Sequence, residues 1–178
     1  MKKILLSLIV LLSVTACTFT SDYQGEYKMS SHAVFQEEEL YNEEENLHSV
    51  ARTMKREYHW IAYAHNDYIY KTVREDKYYF NDTTTRFLTN NNYDVNELIN
   101  AIIKNEYHED NQTESKSSVE KEWDDEVIII TTTEESPKRK DGFWGTIVPE
   151  EYSLTQTISD YETKLKDYGY TYTLEKAD

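Results

Sequence analysis

The side chains best suited to chemistry lie close together in residues 58–68. This run contains His59, His65 and Asp67, which are residue types that bind transition metals. If the run is helical, the six-residue spacing places the two histidines on opposite sides of the helix. A metal site is therefore not favoured, and we predict neither a metal nor any other cofactor.

Aromatic residues in the same run suggest a binding surface. Trp60, Tyr63 and Tyr68 combine large apolar rings with a polar edge, and such residues are enriched where proteins contact other molecules. We regard these three residues as a candidate binding patch for a sugar or a peptide. The alternative is that the rings form part of the core.

Cys17 is the only cysteine of the chain, and it follows an apolar segment. Lys2 and Lys3 precede an apolar run from Ile4 to Val14, an arrangement typical of a secretory signal peptide. The run is shorter than the roughly 20 apolar residues that a membrane-spanning helix needs. A lone cysteine in an exported chain cannot form an internal disulfide, so we expect another role for it.

The residues Val14-Thr15-Ala16-Cys17 resemble the lipobox of bacterial lipoproteins, in which a small residue precedes an obligatory cysteine. The resemblance implies that diacylglycerol is attached to the Cys17 thiol and that the signal peptide is cleaved after Ala16. Two acyl chains suffice for stable anchoring, whereas one is marginal. The resemblance thus implies an extracytoplasmic, lipid-anchored protein. Thr18 stands where many lipoproteins carry an inner-membrane retention aspartate, which favours the outer membrane if the host is Gram-negative.

The charge of the chain excludes one class of partner. The 178 residues include 34 Asp and Glu against 19 Lys and Arg, which gives a net charge of −15 at pH 7. Cleavage would remove Lys2 and Lys3 and bring the mature net charge to −17. Because nucleic acid repels such a chain, we predict no nucleic-acid binding. A partner attracted by charge would be cationic.

Hydrophobic periodicity predicts the elements of the first half of the mature chain. Apolar residues at helical spacing predict one long amphipathic helix over about 36–65. The β-rich runs 68–73 and 77–80 predict a hairpin around Arg74-Glu75-Asp76, and residues 83–88 extend the sheet. Asp94 begins a capping pattern for a short helix over 95–107.

The second half of the chain predicts more strands and a third helix. A polar loop at 108–121 precedes a β-branched central strand at 127–133, and a basic turn at 136–142 leads to its partner strand at 143–148. A helix at 154–168, stopped by Gly169, and a last strand at 170–174 follow. Together the elements predict an α+β fold with a mainly antiparallel sheet packed against about three helices. The predicted organisation is a signal peptide in 1–16, lipidated Cys17 with a flexible tether in 17–31, and a single acidic α+β domain in 32–178.

Known enzyme motifs are missing from the sequence. The chain has no G-x-S-x-G elbow, no Walker A loop and no H-E-x-x-H motif. We therefore predict a membrane-anchored envelope lipoprotein that is not an enzyme and that binds an envelope macromolecule or ligand. One alternative is a surface guard, such as an inhibitor or an immunity protein, that acts against a cationic attacker. A less favoured alternative is a hydrolase of envelope polymers.

Overall fold

The computed structural model describes residues 23–36, 46–106, 116–124, 126–137 and 148–177. These residues form one antiparallel sheet of six strands in the order β4-β5-β3-β2-β1-β6. The strands are β1 Glu26–Phe35, β2 Lys55–His65, β3 Tyr68–Tyr79, β4 Lys116–Trp123, β5 Val127–Glu135 and β6 Thr171–Ala177. The predicted α+β class with a mainly antiparallel sheet is thus confirmed.

Four α-helices accompany the sheet in the described residues, where about three were predicted. They are α1 Leu47–Arg52, α2 Asp82–Asn91, α3 Val95–Glu106 and α4 Leu154–Asp160. A π-helical turn and a 3-10 turn continue α4 as far as Tyr168, and Gly169 follows in the left-handed region at φ 80°. None of the helices in the described residues is long and apolar enough to cross a membrane.

Alternation along the strands gives the sheet a covered face and an open face. Ala62 and Ala64 of β2 are fully buried beneath helices, whereas His59 and His65 on the other face are exposed. The helices pack on the covered face in two apolar clusters. One cluster joins α1 and α3 to the sheet around Leu98, Ile99, Ile102, Ile128 and Ile130, and the other joins α4 to it around Met29, Ala62, Ala64, Leu154 and Ile158.

Side-chain caps fix where the helices begin. Asn46 Oδ1 accepts a hydrogen bond from the Ser49 backbone N–H at 3.0 Å, and Ser49 Oγ accepts one from the Asn46 N–H at 2.9 Å. Asp94 and Glu97 form the same reciprocal pair at the start of α3, at 2.9 and 2.8 Å. The predicted capping pattern and the helix that follows it are therefore confirmed.

Three predictions for the first half of the chain are wrong. In the predicted long helix only Leu47–Arg52 is helical among the described residues, because Lys55–His65 pairs with two neighbouring strands. The predicted hairpin over 68–80 is one continuous strand, β3, that runs straight through Arg74-Glu75-Asp76. Residues 83–88 are helical, since Asn81 caps α2 through the Thr84 N–H at 2.8 Å.

Two predicted boundaries also shift. Strand β1 begins at Glu26, so a tether cannot extend to residue 31 and the folded domain begins before residue 32. Strand β4 begins at Lys116, inside the predicted loop 108–121. The predicted central strand, third helix and last strand are confirmed in β5, in Leu154–Tyr168 and in β6. Residues 1–22 with Cys17, and 138–147 with most of the basic turn and its partner strand, lie outside the described residues.

Candidate functional site

The structure does not bring Trp60, Tyr63 and Tyr68 together as one patch. Trp60 lies on the covered face, where it stacks on Tyr161 with ring centroids 6.1 Å apart. Tyr63 lies three residues after Trp60 in β2. Because successive side chains of a strand point to opposite faces, Tyr63 lies on the open face. Tyr68 is buried at the hairpin end, and its hydroxyl donates a hydrogen bond to the Pro137 carbonyl. The predicted patch is therefore wrong as a single surface.

The two histidines of the run lie on the open face but far apart. Since β2 is a strand, six residues between His59 and His65 correspond to roughly 20 Å. The His65 Nδ1 lies 2.6 Å from Glu26 Oε1, and the His59 ring lies 4.5 Å from that of His32 between centroids. No group of three His, Cys, Asp or Glu in the described ranges could hold a metal ion.

A buried charge cluster occupies the middle of the covered face. Asp76 is fully buried, and its two carboxylate oxygens accept hydrogen bonds from Arg56 Nε at 2.8 Å and from Arg74 Nε at 2.6 Å. The neighbouring strand β2 supplies Arg56, whereas Arg74 lies two residues before Asp76 in the same strand, β3. A carboxylate in this position is tolerable only because cations and hydrogen bonds replace its water.

Aromatic rings surround the two guanidinium groups. Arg56 lies over the rings of Phe35 and Tyr78 at 5.4 and 5.5 Å from their centroids, and Arg74 lies over Tyr58 at 5.4 Å. These distances are those of cation–π contacts, which become stronger when the pair is shielded from water. The rings therefore hold both guanidinium groups in place from the sides.

The phenols next to this cluster are poor acids. Burial raises the pKa of Tyr58, Tyr161 and Tyr170 above the ordinary value of a tyrosine. Tyr58 and Tyr161 also contact Tyr170 edge to face, at 5.4 and 5.8 Å between centroids. At neutral pH these hydroxyls are protonated, so they can donate hydrogen bonds but cannot serve as bases.

A cavity of about 370 Å³ lies between α1 and the covered face, beside Arg56. Its apolar wall includes Phe35, Met54 and Ile102, and its polar wall consists of Gln36, His48, Arg52 and Arg56. Ten residues of the described part of the chain line it, and none of these ten is an aspartate or a glutamate. In a chain with 34 acidic and 19 basic residues, this cavity has an unusually cationic lining.

The open face of the sheet contrasts with the covered face and its cavity. Among the described strand residues on this face, Tyr68 at the hairpin end is the only buried one. Apolar and aromatic side chains on this face, at Ile61, Tyr63, Val73, Tyr79, Val127 and Ile129, are interspersed with charged ones such as Lys28, Glu57, Lys71, Glu75 and Lys77. The two edge strands carry carboxylates on the same face, at Glu120, Glu122 and Glu175.

No protein-family model, characterised protein or solved structure matches this chain. The candidate sites are therefore defined by their geometry, which offers a cationic cavity on one side of the sheet and a broad open face on the other. The sequence pattern of the 58–68 run identified Trp60 and Tyr63 but not the partners of Arg56. Arg56 and Asp76 are 20 residues apart in the sequence, and no local pattern predicts that they pair.

Proposed function

We propose that this chain is a lipid-anchored extracytoplasmic lipoprotein whose domain binds a cationic protein through the open face of its sheet. The anchor rests on the signal peptide and on Cys17, which follows a lipobox-like sequence. The binding surface rests on one observation: almost every described strand residue on this face is accessible, and the face combines exposed apolar and aromatic side chains with carboxylates on both edge strands.

The open face has the size of a protein interface. Six strands about 4.8 Å apart span roughly 24 Å, and ten residues of strand extend about 33 Å, so the face covers about 800 Å². A standard protein–protein interface buries about this area on each partner.

Charge indicates the kind of partner. In the middle of the face, Lys55 lies 2.7 Å from Glu57 and Lys77 lies 3.2 Å from Glu75, whereas Lys71 lies over the Tyr63 ring at 5.8 Å from its centroid. The edge strands add acidic side chains, and the whole chain has a net charge of −15. A basic protein would be attracted to this face, and the attraction would weaken as salt rises.

The surface-guard hypothesis is a narrower form of the same proposal. A guard would bind a cationic attacker through this face and block its active site. It adds one expectation, that the anchored domain lowers the activity of the protein it binds, which an activity assay of the bound partner measures directly.

The anchor is tested by Cys17→Ala in the native host. We expect this change to abolish incorporation of labelled fatty acid and to remove the protein from the membrane fraction, because no other cysteine can accept the lipid. Retained acyl labelling in the Cys17→Ala chain would contradict the proposed anchor.

The binding face is tested with a basic protein, lysozyme, and with succinylated lysozyme, whose lysine charges are reversed. We expect the anchored protein in phosphatidylcholine vesicles to bind lysozyme with an affinity that falls as salt rises, and to bind the succinylated form far more weakly. The double change Glu120→Lys and Glu122→Lys should weaken binding at least about tenfold, since the charge of one edge is reversed.

A matched double change away from the open face provides the control. Glu150→Lys with Asp167→Lys alters the net charge by the same amount at two exposed positions outside the sheet. Binding that is independent of salt, or that falls equally in both double variants, contradicts the open face as the site.

A further inference from the structure

We propose that the cavity between α1 and the covered face binds a small amphipathic anion, a carboxylate attached to an apolar body. This site lies on the side of the sheet opposite the proposed protein-binding face, so the inference is independent of that proposal.

The cavity is large enough for a small ligand. Its volume of about 370 Å³ lies within the range of roughly 300–1,000 Å³ that is typical of small-molecule sites. Phe35, Met54 and Ile102 provide an apolar wall, and the ring of Tyr78 adds an aromatic surface. A short alkyl chain or a single aromatic ring would bury its apolar surface against these groups.

The charge of the lining selects an anionic head group. Arg52, Arg56 and His48 contribute to the wall, and none of the ten lining residues that the structure describes carries a carboxylate. At these residues a cationic ligand would meet like charge. A sugar would find no carboxylate among them to accept hydrogen bonds from its hydroxyl groups. An anion gains charge-assisted hydrogen bonds, which are roughly twice as strong as neutral ones.

Arg56 is held in place before any ligand binds. Its Nε donates to the fully buried Asp76, and its guanidinium plane lies against the rings of Phe35 and Tyr78. A side chain that is already ordered loses little conformational entropy on binding, which favours affinity. The planar guanidinium also matches the two oxygens of a carboxylate better than an ammonium group does.

The test uses three probes of equal shape and different charge: 4-phenylbutyrate, its uncharged amide and the corresponding amine. Binding to the lipidated full-length protein in phosphatidylcholine vesicles is measured by saturation-transfer NMR, with protein-free vesicles as the blank. We expect the carboxylate to bind at least about tenfold more tightly than the amide, because only the carboxylate forms charge-assisted hydrogen bonds. The amine should not bind.

Two variants locate the site, and a third controls for charge. Arg52→Gln removes a cation at the exposed side of the cavity, and Arg56→Lys keeps the charge while losing the planar group. Each should weaken carboxylate binding several-fold. Arg86→Gln removes an exposed arginine on α2, outside the lining, and should change binding less than about twofold.

Circular dichroism of each variant shows whether the fold is retained, and Arg52→Gln decides the question if Arg56→Lys unfolds the domain. Equal binding of carboxylate and amide, no binding of either up to about 10 mM, or equal effects of Arg52→Gln and Arg86→Gln would overturn the proposal. Lysozyme binding by the Arg52→Gln variant should match the parent, so failure at one site is distinguishable from failure at the other.

Discussion

The covered and open faces of the sheet are built from alternate residues of the same strands, yet they treat charge in opposite ways. Glu75 and Asp76 are neighbours in β3, but the Glu75 side chain is 39% exposed whereas that of Asp76 is 0% exposed. Glu75 pairs with a partly exposed lysine, while Asp76 binds two arginines beneath the helices. The direction of a side chain in the pleat, rather than its residue type, decides whether its charge is structural.

The largest expected effect comes from removing the buried charge. Asp76→Asn should destabilise the domain by about 3–5 kcal/mol, because it breaks a buried ion pair and leaves two guanidinium groups without their carboxylate. Urea unfolding followed by tryptophan fluorescence measures the change. Glu75→Gln, one residue away on the open face, is the matched control and should cost less than about 1 kcal/mol. Similar losses in both variants would erase the distinction between the faces.

The apolar counterpart of this comparison lies in β5. Ile130 is fully buried on the covered face, whereas Ile129 lies on the open face and is only partly buried. Ile130→Ala should cost about 2–5 kcal/mol because it leaves a cavity in the core. Ile129→Ala should cost markedly less, and thermal unfolding of the two variants side by side tests the ranking. A greater loss at Ile129 would mean that the open face is covered in the folded protein.

Alkaline pH should weaken the covered face. Burial raises the pKa of Tyr58 in the folded state, so the stabilisation from its neutral form is complete below pH 10 and declines as pH rises above 10. We expect Tyr58 alone to lower the free energy of unfolding by about 1–2 kcal/mol between pH 9 and pH 11. Tyr58→Phe should reduce this decline, as measured by urea unfolding at each pH, and an unchanged decline would assign it to other groups.

The smallest effect should come from an ion pair of the open face. Lys77 Nζ lies 3.2 Å from Glu75 Oε1, and both side chains are about one third exposed. A double-mutant cycle with Lys77→Ala and Glu75→Ala should give a coupling energy of about 0.2–1 kcal/mol that decreases with added salt. A coupling of several kcal/mol would indicate that this face is shielded from solvent.

Local patterns predicted the elements whose signals are local. The α3 helix followed from a capping pair three residues apart and from apolar spacing, and β5 followed from an unbroken β-branched run. The run 58–64 was ambiguous, because its apolar residues fit both a helical and an alternating period. Pairing decided for the strand: Ala64 pairs with Ile69 of β3 across the tight turn at Asn66-Asp67, and with Tyr27 of β1, which lies far away in the sequence.

The candidate sites were less predictable for the same reason. A run of three charged residues, Arg74-Glu75-Asp76, has the composition of a turn. Asp76 is a core residue because Arg74 and, from the neighbouring strand, Arg56 both pair with its carboxylate. The cavity likewise depends on α1 resting against the end of the sheet, which no spacing in the sequence expresses. Trp60 and Tyr63 were found by residue type alone, and an error in period then placed them on one surface.

The order of the strands has a consequence for the timing of folding. Strand β1 pairs with β6, and the contact between Thr171 and His32 joins positions 139 residues apart. During synthesis one edge of β1 therefore stays unpaired until nearly the whole described chain has emerged. Contacts this distant slow folding, and an unpaired strand edge invites association between incomplete chains. During folding, pairing of β1 with β6 of the same chain therefore competes with pairing of β1 with a strand of a neighbouring copy.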